Sequence, residues 1–377
     1  MSQKPLRVLH FYRTAFPDTM GGIEQVIHQI AKSTARQGVK VDVLSLTPHK
    51  VIKTIEVDGY SVHRARLNFQ IASTGFSVTA FWRFYQLAKQ ADIIHYHFPW
   101  PFMDVVHFAT RCCKPSVVTY HSDIVRQVHL SKLYRPLKRL FLGCMRAIVA
   151  TSPNYLATST VLAKYKERVK VIPIGLDKSA YPEVLEKRLR FWLEKVGPKF
   201  FLFVGLIRYY KGLHILLEAA QNTDYPIVIV GAGPIEHELK ESAEKLGLKN
   251  VHFLGYQSDA DKVALLTLCY AVVFPSHLRS EAFGVSLLEG AMYGKPLISS
   301  EIGTGTSYVN IADETGLVVP PSDPIALRNA MATLWDNPAQ AAVMGQRAYQ
   351  RYQQYFTADT MATSYIELYR EIQNRQS

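Results

Sequence analysis

Cysteine is scarce. Cys112, Cys113, Cys144 and Cys269 are all there are in 377 residues. They lack metal-ligand spacing and nothing beside them points to secretion, so they read as reduced thiols of a cytosolic protein. No apolar run approaches the ~20 residues that cross a bilayer as a helix. The first seven residues are polar and lead straight into a strand-like segment, so no signal peptide is expected. There is no low-complexity linker, so any domains are expected to touch. The full Gly-x-Gly-x-x-Gly of a dinucleotide site is missing: Gly231-Ala232-Gly233 is followed by Glu236, which excludes a nicotinamide or flavin site. Asp259-Ala260-Asp261 has the outline of an Asp-x-Asp metal motif. It opens a helical run at 262–268, however, where Ser258 or Asp259 serves better as an N-cap. No metal and no bound cofactor is expected.

Hydrophobic residues make up 48% of the chain, enough for two ordinary domains with sizeable cores. The net charge of +12 is unevenly spread. Residues 1–177 hold 24 Lys and Arg against 10 Asp and Glu, and residues 178–377 hold 19 against 21. The excess therefore sits wholly in the first half. Such a half suits a polyanionic partner (nucleic acid, an anionic membrane or a phosphorylated acceptor), or is simply a solvated basic surface. The stretch 126–146 is the extreme case. It carries Arg126, Lys132, Arg135, Lys138, Arg139 and Arg146 without one acidic residue, and sets Leu133, Leu137, Leu140, Phe141 and Cys144 at helical spacing. It reads either as a membrane-surface helix or as a core-facing helix with a solvated basic side.

Short β-branched runs alternate with helical stretches along the first half. Strands are expected at 7–12, 41–46, 92–96, 116–120, 147–150 and 169–172, and helices at 23–37 and 81–89. The second half repeats the pattern, with strands at 200–204, 226–230, 251–254, 271–274, 296–299 and 316–319. Its helices are expected at 212–221, 235–246, 259–268 and 285–293. Strands apolar on both faces and interleaved with helices imply two α/β, doubly wound, Rossmann-like domains. The division falls near 173–182, giving domains at 1–177 and 178–356. Residues 357–373 form an amphipathic helix with Met361, Tyr365, Leu368 and Ile372 on one face. Ligands of such sheets bind at the carboxyl ends of strands.

The strongest motif lies at such an end. After the strand at 271–274 and the turn Pro275-Ser276-His277 come Glu281, Phe283-Gly284-Val285 and Glu289. A loop carboxylate accepts hydrogen bonds from sugar hydroxyls, and one further along the helix suits a ribose diol. Between them, N–H groups at a helix start favour a phosphate. Glu289 interrupts an apolar stretch, and a buried carboxylate needs a partner. Arg208 and Lys211 follow another strand end, where guanidinium and ammonium groups suit a departing diphosphate. His121 ends the strand at 116–120, with Asp123 placed either to orient it or to cap the next helix.

This Glu-x7-Glu spacing resembles the retaining glycosyltransferases of the GT-B fold, family 4. Gly205, Arg208 and Lys211-Gly212 look like the family's phosphate loop, Gly231-Ala232-Gly233-Pro234 like its second turn, and Gly21-Gly22-Ile23-Glu24 like its first loop. Residues 314–320 are similar to its late strand. The resemblance implies two Rossmann-like domains facing across a cleft, with the segment 357–377 returning to the first. It implies a nucleotide-sugar donor held by Gly205, Arg208, Lys211, Gly233, Glu281, Phe283, Gly284, Val285 and Glu289. Gly21, Gly22 and His121 would lie on the acceptor side, with Gly22 also over the diphosphate. His121, Arg208, Lys211 and Glu281 would serve catalysis. The whole chain looks like bacterial mannosyltransferases that build O-antigen on a lipid-linked acceptor. That implies GDP-mannose as cosubstrate, retention of configuration, no metal, no nucleic acid, and a peripheral place on the inner face of the cytoplasmic membrane. A UDP-sugar donor, a sugar-nucleotide 2-epimerase on the same plan and a basic nucleic-acid-binding protein stay open beside it.

Overall fold

The computed structural model describes residues 5–49, 53–71, 74–124 and 128–375, the side chains of 128–132 excepted. The chain divides into two compact units, Met1–Gly175 with Ala358–Ser377, and Leu176–Thr357. The first division falls two residues ahead of the expected 177/178. Leu176 bridges to Thr357, and its carbonyl accepts from the Tyr352 hydroxyl at 3.0 Å, which ties it to the second unit.

In the first unit the chain runs β1 (Arg7–Phe11), α1 (Gly22–Arg36), β2 (Lys40–Thr47), β3 (Ile55–Val57), β4 (Tyr60–Arg66), β5 (Phe69–Ile71), β6 (Thr74–Phe76) and α2 (Val78–Gln90). It continues through β7 (Ile93–Phe98), α3 (Pro101–Ala109), β8 (Ser116–Tyr120), α4 (Val128–Cys144), β9 (Ala147–Ala150), α5 (Pro153–Thr158) and β10 (Val169–Val171). One sheet has the order β10-β9-β8-β7-β1-β2-β4-β3, parallel except between β3 and β4. The order reverses between β7 and β1, so that is the unit's switch point. Strands β3 to β6 were not expected from the sequence. Tyr60–Arg66 carries His63, Arg64 and Arg66 and is only partly buried, so it lacks the apolar run that marks its neighbours. Its turn was nevertheless written in the chain: Asp58-Gly59 adopts positive φ at both positions (45° and 89°), the geometry of a two-residue hairpin.

The second unit contains α6 (Glu186–Val196), β11 (Phe201–Val204), α7 (Leu213–Ala220), β12 (Ile227–Val230), α8 (Glu236–Lys245), β13 (Val251–Gly255), α9 (Asp259–Leu268) and β14 (Ala271–Phe274). After these come α10 (Val285–Met292), β15 (Leu297–Ser300), α11 (Thr306–Val309), β16 (Gly316–Val319), α12 (Pro324–Asp336) and α13 (Pro338–Tyr355). Its sheet is parallel throughout, in the order β13-β12-β11-β14-β15-β16, and reverses between β11 and β14.

The last helix, α14 (Ala358–Asn374), packs with the first unit. Met361, Tyr365, Leu368, Tyr369 and Ile372 are all buried. Its two tyrosines reach polar groups inside the sheet: Tyr369 Oη lies 2.7 Å from His95 Nδ1, and Tyr365 Oη 2.9 Å from Thr119 Oγ1. A tyrosine thus fills the core with its ring while its hydroxyl satisfies a buried partner.

His10, on β1, and His95 and His97, on β7, are wholly buried at the centre of this sheet. Burial lowers the pKa of His10 to about 3 and holds His95 and His97 well below the ordinary value. Unfolded, each takes up a proton near pH ~6.5. The unfolded state therefore binds more protons as pH drops below that value, so stability is full above it and is lost downward, by ~1.4 kcal/mol per pH unit for each histidine. Asp104, a buried carboxyl pushed up by burial, titrates with the opposite sign. We expect His10→Phe to flatten the loss of stability between pH 7.5 and 5.5 by roughly 1.4 kcal/mol relative to the parent. Urea unfolding at the two pH values measures it, and equal losses in both proteins would contradict the neutral state of His10.

Candidate functional site

At the switch point of the second unit, the loops after β11 and β14 meet. Lys211 and Glu281 are 8% and 9% exposed and form an ion pair. The other oxygen of Glu281 accepts from the Gly284 N–H at 3.1 Å. One carboxylate thus joins a lysine from one loop to the start of α10. Gly284 is the N-cap residue, with φ of 91° and no side-chain cap, so the helix keeps its first-turn N–H groups for an anion. Arg208 stands apart from this bonded set. It is exposed, extended, and has no polar side-chain partner among the described residues.

Glycine sets the approach of these loops. A Cβ on Gly212, whose φ is 71°, would fall on the carbonyl oxygen of Pro275. One on Gly231 would fall on the carbonyl of Gly205, and one on Gly233 on that of Ile207. Gly205 and Gly233, expected beside the donor, therefore shape the loop by backbone-to-backbone contact. Phe283 is 3% exposed and its ring lies 6.1 Å from that of Phe356, which makes it a packing residue. Val285 opens α10.

Glu289 is 5% exposed and already has protein partners. Tyr181 donates to it at 2.8 Å and Lys262 at 3.0 Å. Burial works against the Lys262 ammonium, but the Glu289 and Asp259 carboxylates together outweigh it and the pKa is raised. Burial and then Glu289 push the Tyr181 hydroxyl well above its ordinary value. Gly290 seats the helix, since a Cβ there would lie 2.8 Å from Val272 Cγ2 on β14. Neither Tyr181 nor Lys262 was singled out from the sequence. The only signal was that a buried Glu289 needs a partner. Ser258 caps α9 by accepting from the Asp261 N–H at 3.2 Å. Asp261 pairs with Arg188 and accepts from Trp192 at 2.9 Å, while Asp259 lies 3.3 Å from Lys262.

In the first unit, Gly21 and Gly22 begin α1. The Glu24 carboxylate folds back over Gly21 and accepts from Thr14 at 2.6 Å, so a side chain at 21 would displace it. Gly22 differs: a Cβ there would meet nothing within 4 Å, so no packing inside the protein demands glycine. His121 follows β8 and is 5% exposed, with its pKa lowered by burial to about 3. Its ring stacks on His97 at 5.3 Å, and its Nε2 lies 3.0 Å from His97 Nδ1. His97 Nε2 lies in turn 2.9 Å from His10 Nδ1. The Asp123 carboxylate accepts from Tyr120 at 2.8 Å and Ser159 at 3.1 Å, so the contact that orients His121 is a histidine. His10 and His97 belong to strands of a parallel core, where nothing in the sequence marks their side chains as partners of His121. His10, His95 and His97 are also close enough to share an ion, their ring nitrogens lying within 4.8 Å. Their rings, however, stack or tilt at 4.4–5.3 Å and their nitrogens pair with one another, with Tyr369 and with Thr119.

The basic stretch forms α4. Arg126 and the side chain of Lys132 lie outside the described residues. Arg135 and Arg139 are exposed, and Leu133 and Leu140 are 81% and 63% exposed. Phe141, grouped with them in the sequence reading, is instead fully buried against Tyr96 and His107, because it lies on the helix's inner face. No described helix is long and apolar enough to cross a membrane.

Two family models match: "Glycosyltransferase Family 4" over residues 20–180 and "Glycosyl transferases group 1" over residues 186–351. The chain is 62% identical to D-rhamnosyltransferase WbpZ of Pseudomonas aeruginosa, over 94% of this chain and 93% of that one. It is 50% identical to O-antigen chain mannosyltransferase C of Escherichia coli, over 97% and 98%. Among solved structures, a sucrose-phosphate synthase from Thermosynechococcus elongatus superposes with a TM-score of 0.80 at 21% identity, covering 97% of this chain and 99% of that one. WaaG, a glycosyltransferase involved in lipopolysaccharide biosynthesis, superposes with a TM-score of 0.70 at 17% identity, over 95% and 98%. With two doubly wound units and an anion-ready helix start in the second, the chain belongs to the family 4 glycosyltransferases of the GT-B fold.

Proposed function

We propose that this glycosyltransferase moves a D-manno-configured hexosyl group from its GDP-linked form to a lipid-linked saccharide in O-antigen synthesis, with retention of configuration. The observation that carries the reading is the buried Lys211–Glu281 pair beneath the uncapped start of α10. The names of the two relatives support the sugar, since D-rhamnose is mannose without its 6-hydroxyl. Mannose and D-rhamnose are therefore the two donors to compare.

In this reading the diphosphate lies against the first N–H groups of α10. Lys211 and Arg208 hold the charge that grows on it as the anomeric C–O bond breaks. Glu281 then releases part of its hold on Lys211 and accepts from sugar hydroxyls, while Glu289, fixed by Lys262 and Tyr181, accepts from the ribose. The acceptor hydroxyl attacks the anomeric carbon on the face the diphosphate leaves, and its proton passes to a leaving phosphate oxygen. Two cations, Lys211 held by Glu281 and the exposed Arg208, do the work that a divalent metal does elsewhere. Gly22 keeps the space above α1 open to the ligand.

Arg208→Ala and Lys211→Ala should each lower kcat by roughly a hundredfold, the effect of removing one preorganised donor to a developing anion. Steady-state transfer assays on folded variants measure this, and near-parental kcat in both would remove the pair from the mechanism. A donor screen in EDTA tests the rest. Transfer from GDP-D-mannose or GDP-D-rhamnose with an α-anomeric NMR signal is expected. A β-linked product would overturn retention, turnover with UDP-sugars alone would overturn the donor, and epimerisation without an acceptor would overturn transfer itself.

We further propose that α4 rests on an anionic membrane, with Arg135 and Arg139 facing lipid headgroups and Leu133 and Leu140 entering among them. Each cation near such a surface contributes ~1 kcal/mol, and the apolar pair leaves a salt-resistant remainder. Liposome co-sedimentation should show binding to anionic but not zwitterionic vesicles. Changing Lys132, Arg135, Lys138 and Arg139 together to Gln should weaken it. Equal recovery in the supernatant with both lipids would return this face to solvent.

A further inference from the structure

Three adjacent strands at the centre of the first unit carry a row of imidazoles. His10 is on β1, His97 on β7, and His121 follows β8. They are 0%, 0% and 5% exposed. Their nitrogens form one continuous line: His10 Nδ1 to His97 Nε2 at 2.9 Å, then His97 Nδ1 to His121 Nε2 at 3.0 Å. No carboxylate is bonded to any of the three among the described residues. With no anion at hand, the buried rings are neutral, and each carries one proton.

A neutral imidazole donates from one nitrogen and accepts at the other, so the line allows only two arrangements. In the first, His10 donates to His97 and His97 donates to His121, which leaves the His121 proton on Nδ1. In the second every bond is reversed, and the last proton sits on His10 Nε2. That atom is buried and has no hydrogen-bond partner. The second arrangement therefore strands an N–H donor in the core. The first leaves only a lone pair there, and buried unpaired donors are the rarer defect. At the opposite end, His121 Nδ1 has no hydrogen-bond partner among the described residues, and the residue is 5% exposed. A proton placed there is available to something from outside.

We propose that His97, backed by His10, fixes His121 as a neutral imidazole with its proton on Nδ1, so that His121 donates a hydrogen bond to an oxygen of the bound ligand and does not act as a base. His97 is then a positioning residue that touches no substrate. The last step rests on the reading of His121 as a ligand-facing residue; the proton arrangement does not. The same geometry speaks against an ion shared by His10, His95 and His97. Stacked rings at 4.4 Å and 23°, as for His95 and His97, aim their lone pairs side by side, and not at a common point.

The test is long-range 1H–15N correlation on the full-length protein labelled at histidine, with the His121 signals assigned by their loss in His121→Gln. A protonated Nδ1 and an unprotonated Nε2 at His121 are expected at pH 7.5. An Nε2–H tautomer in the parent protein would overturn the proposal. In His97→Leu, the Nδ1–H form should give way and kcat for transfer should fall about fivefold, the scale of one neutral hydrogen bond. His97→Asn retains an amide donor near the original Nδ1 and should restore both the tautomer and the rate to within about twofold. A rate loss in His97→Leu with the tautomer unchanged would mark a merely structural effect and overturn the positioning role. Shifts of the His10, His95 and His97 signals on adding equimolar Zn²⁺ would show a metal site and overturn the relay. If the Nδ1–H tautomer is found but His121→Gln transfers at the parental rate, the proton arrangement stands and the donation to ligand falls.

Discussion

The second unit depends on how it keeps ionised groups out of water. Glu281 and Glu289 are both nearly sealed, and neither can hold its charge there without a cation and further hydrogen bonds. Lys211 and a backbone N–H serve the first; Lys262 and a tyrosine serve the second. Each pair ties two elements together. Lys211 comes from the loop after β11 and Glu281 from the loop after β14, so their bond closes the switch point across the strand order's reversal. A pair of this kind is weak evidence for stability, because the desolvation of both ions offsets most of their attraction. It makes better sense as a preorganised charge, with a lysine held in place before an anion arrives.

That arrangement requires the loops to come closer than side chains permit. The carbonyls of Gly205, Ile207 and Pro275 each occupy the place where a Cβ would sit on a glycine of the neighbouring loop. The glycines of the three loops thus differ in what surrounds them. Gly212, Gly231 and Gly233 allow backbone to meet backbone, and a Cβ on Gly205 would meet the ring of Phe203. Gly22, with open space above it, has no such neighbour.

Much of the fold was legible because parallel strands covered on both faces are apolar runs, and helices between them carry a 3.6-residue period. Twelve such strands were expected, and each has a counterpart within two residues at either end. The pieces that escaped were those with weaker contrast. Tyr60–Arg66 is half-buried and basic, and the Asp58-Gly59 turn, the best clue to it, was passed over. At the site, Lys211, Glu281 and Gly284 were legible from position and resemblance, and the structure brings them into one bonded group. Tyr181 and Lys262 were not, because the partner of a buried carboxylate can come from any distance along the chain. Lys262 is 27 residues from Glu289 and Tyr181 is 108. Phe141 shows the converse: helical spacing grouped it with Leu133 and Leu140 and left open which way that side faced, while the neighbouring sheet reveals that Phe141 faces inward.

Both units bury ions and pair them: Glu281 and Glu289 in the second, and in the first Asp42, 3% exposed on β2, which accepts from Arg7 at 2.7 Å. What distinguishes the first is the row of imidazoles beside that pair. His10, His95 and His97 are neutral, and their hydrogen bonds run to one another and to hydroxyls of Thr119 and Tyr369. The difference matches what each unit is proposed to meet. A diphosphate needs fixed positive charge close to the bond that breaks. A saccharide hydroxyl or ring oxygen needs a directed hydrogen-bond donor whose own charge does not change. In the proposed mechanism a neutral imidazole held by a second imidazole supplies that donor, and the acceptor's proton is left to the leaving phosphate.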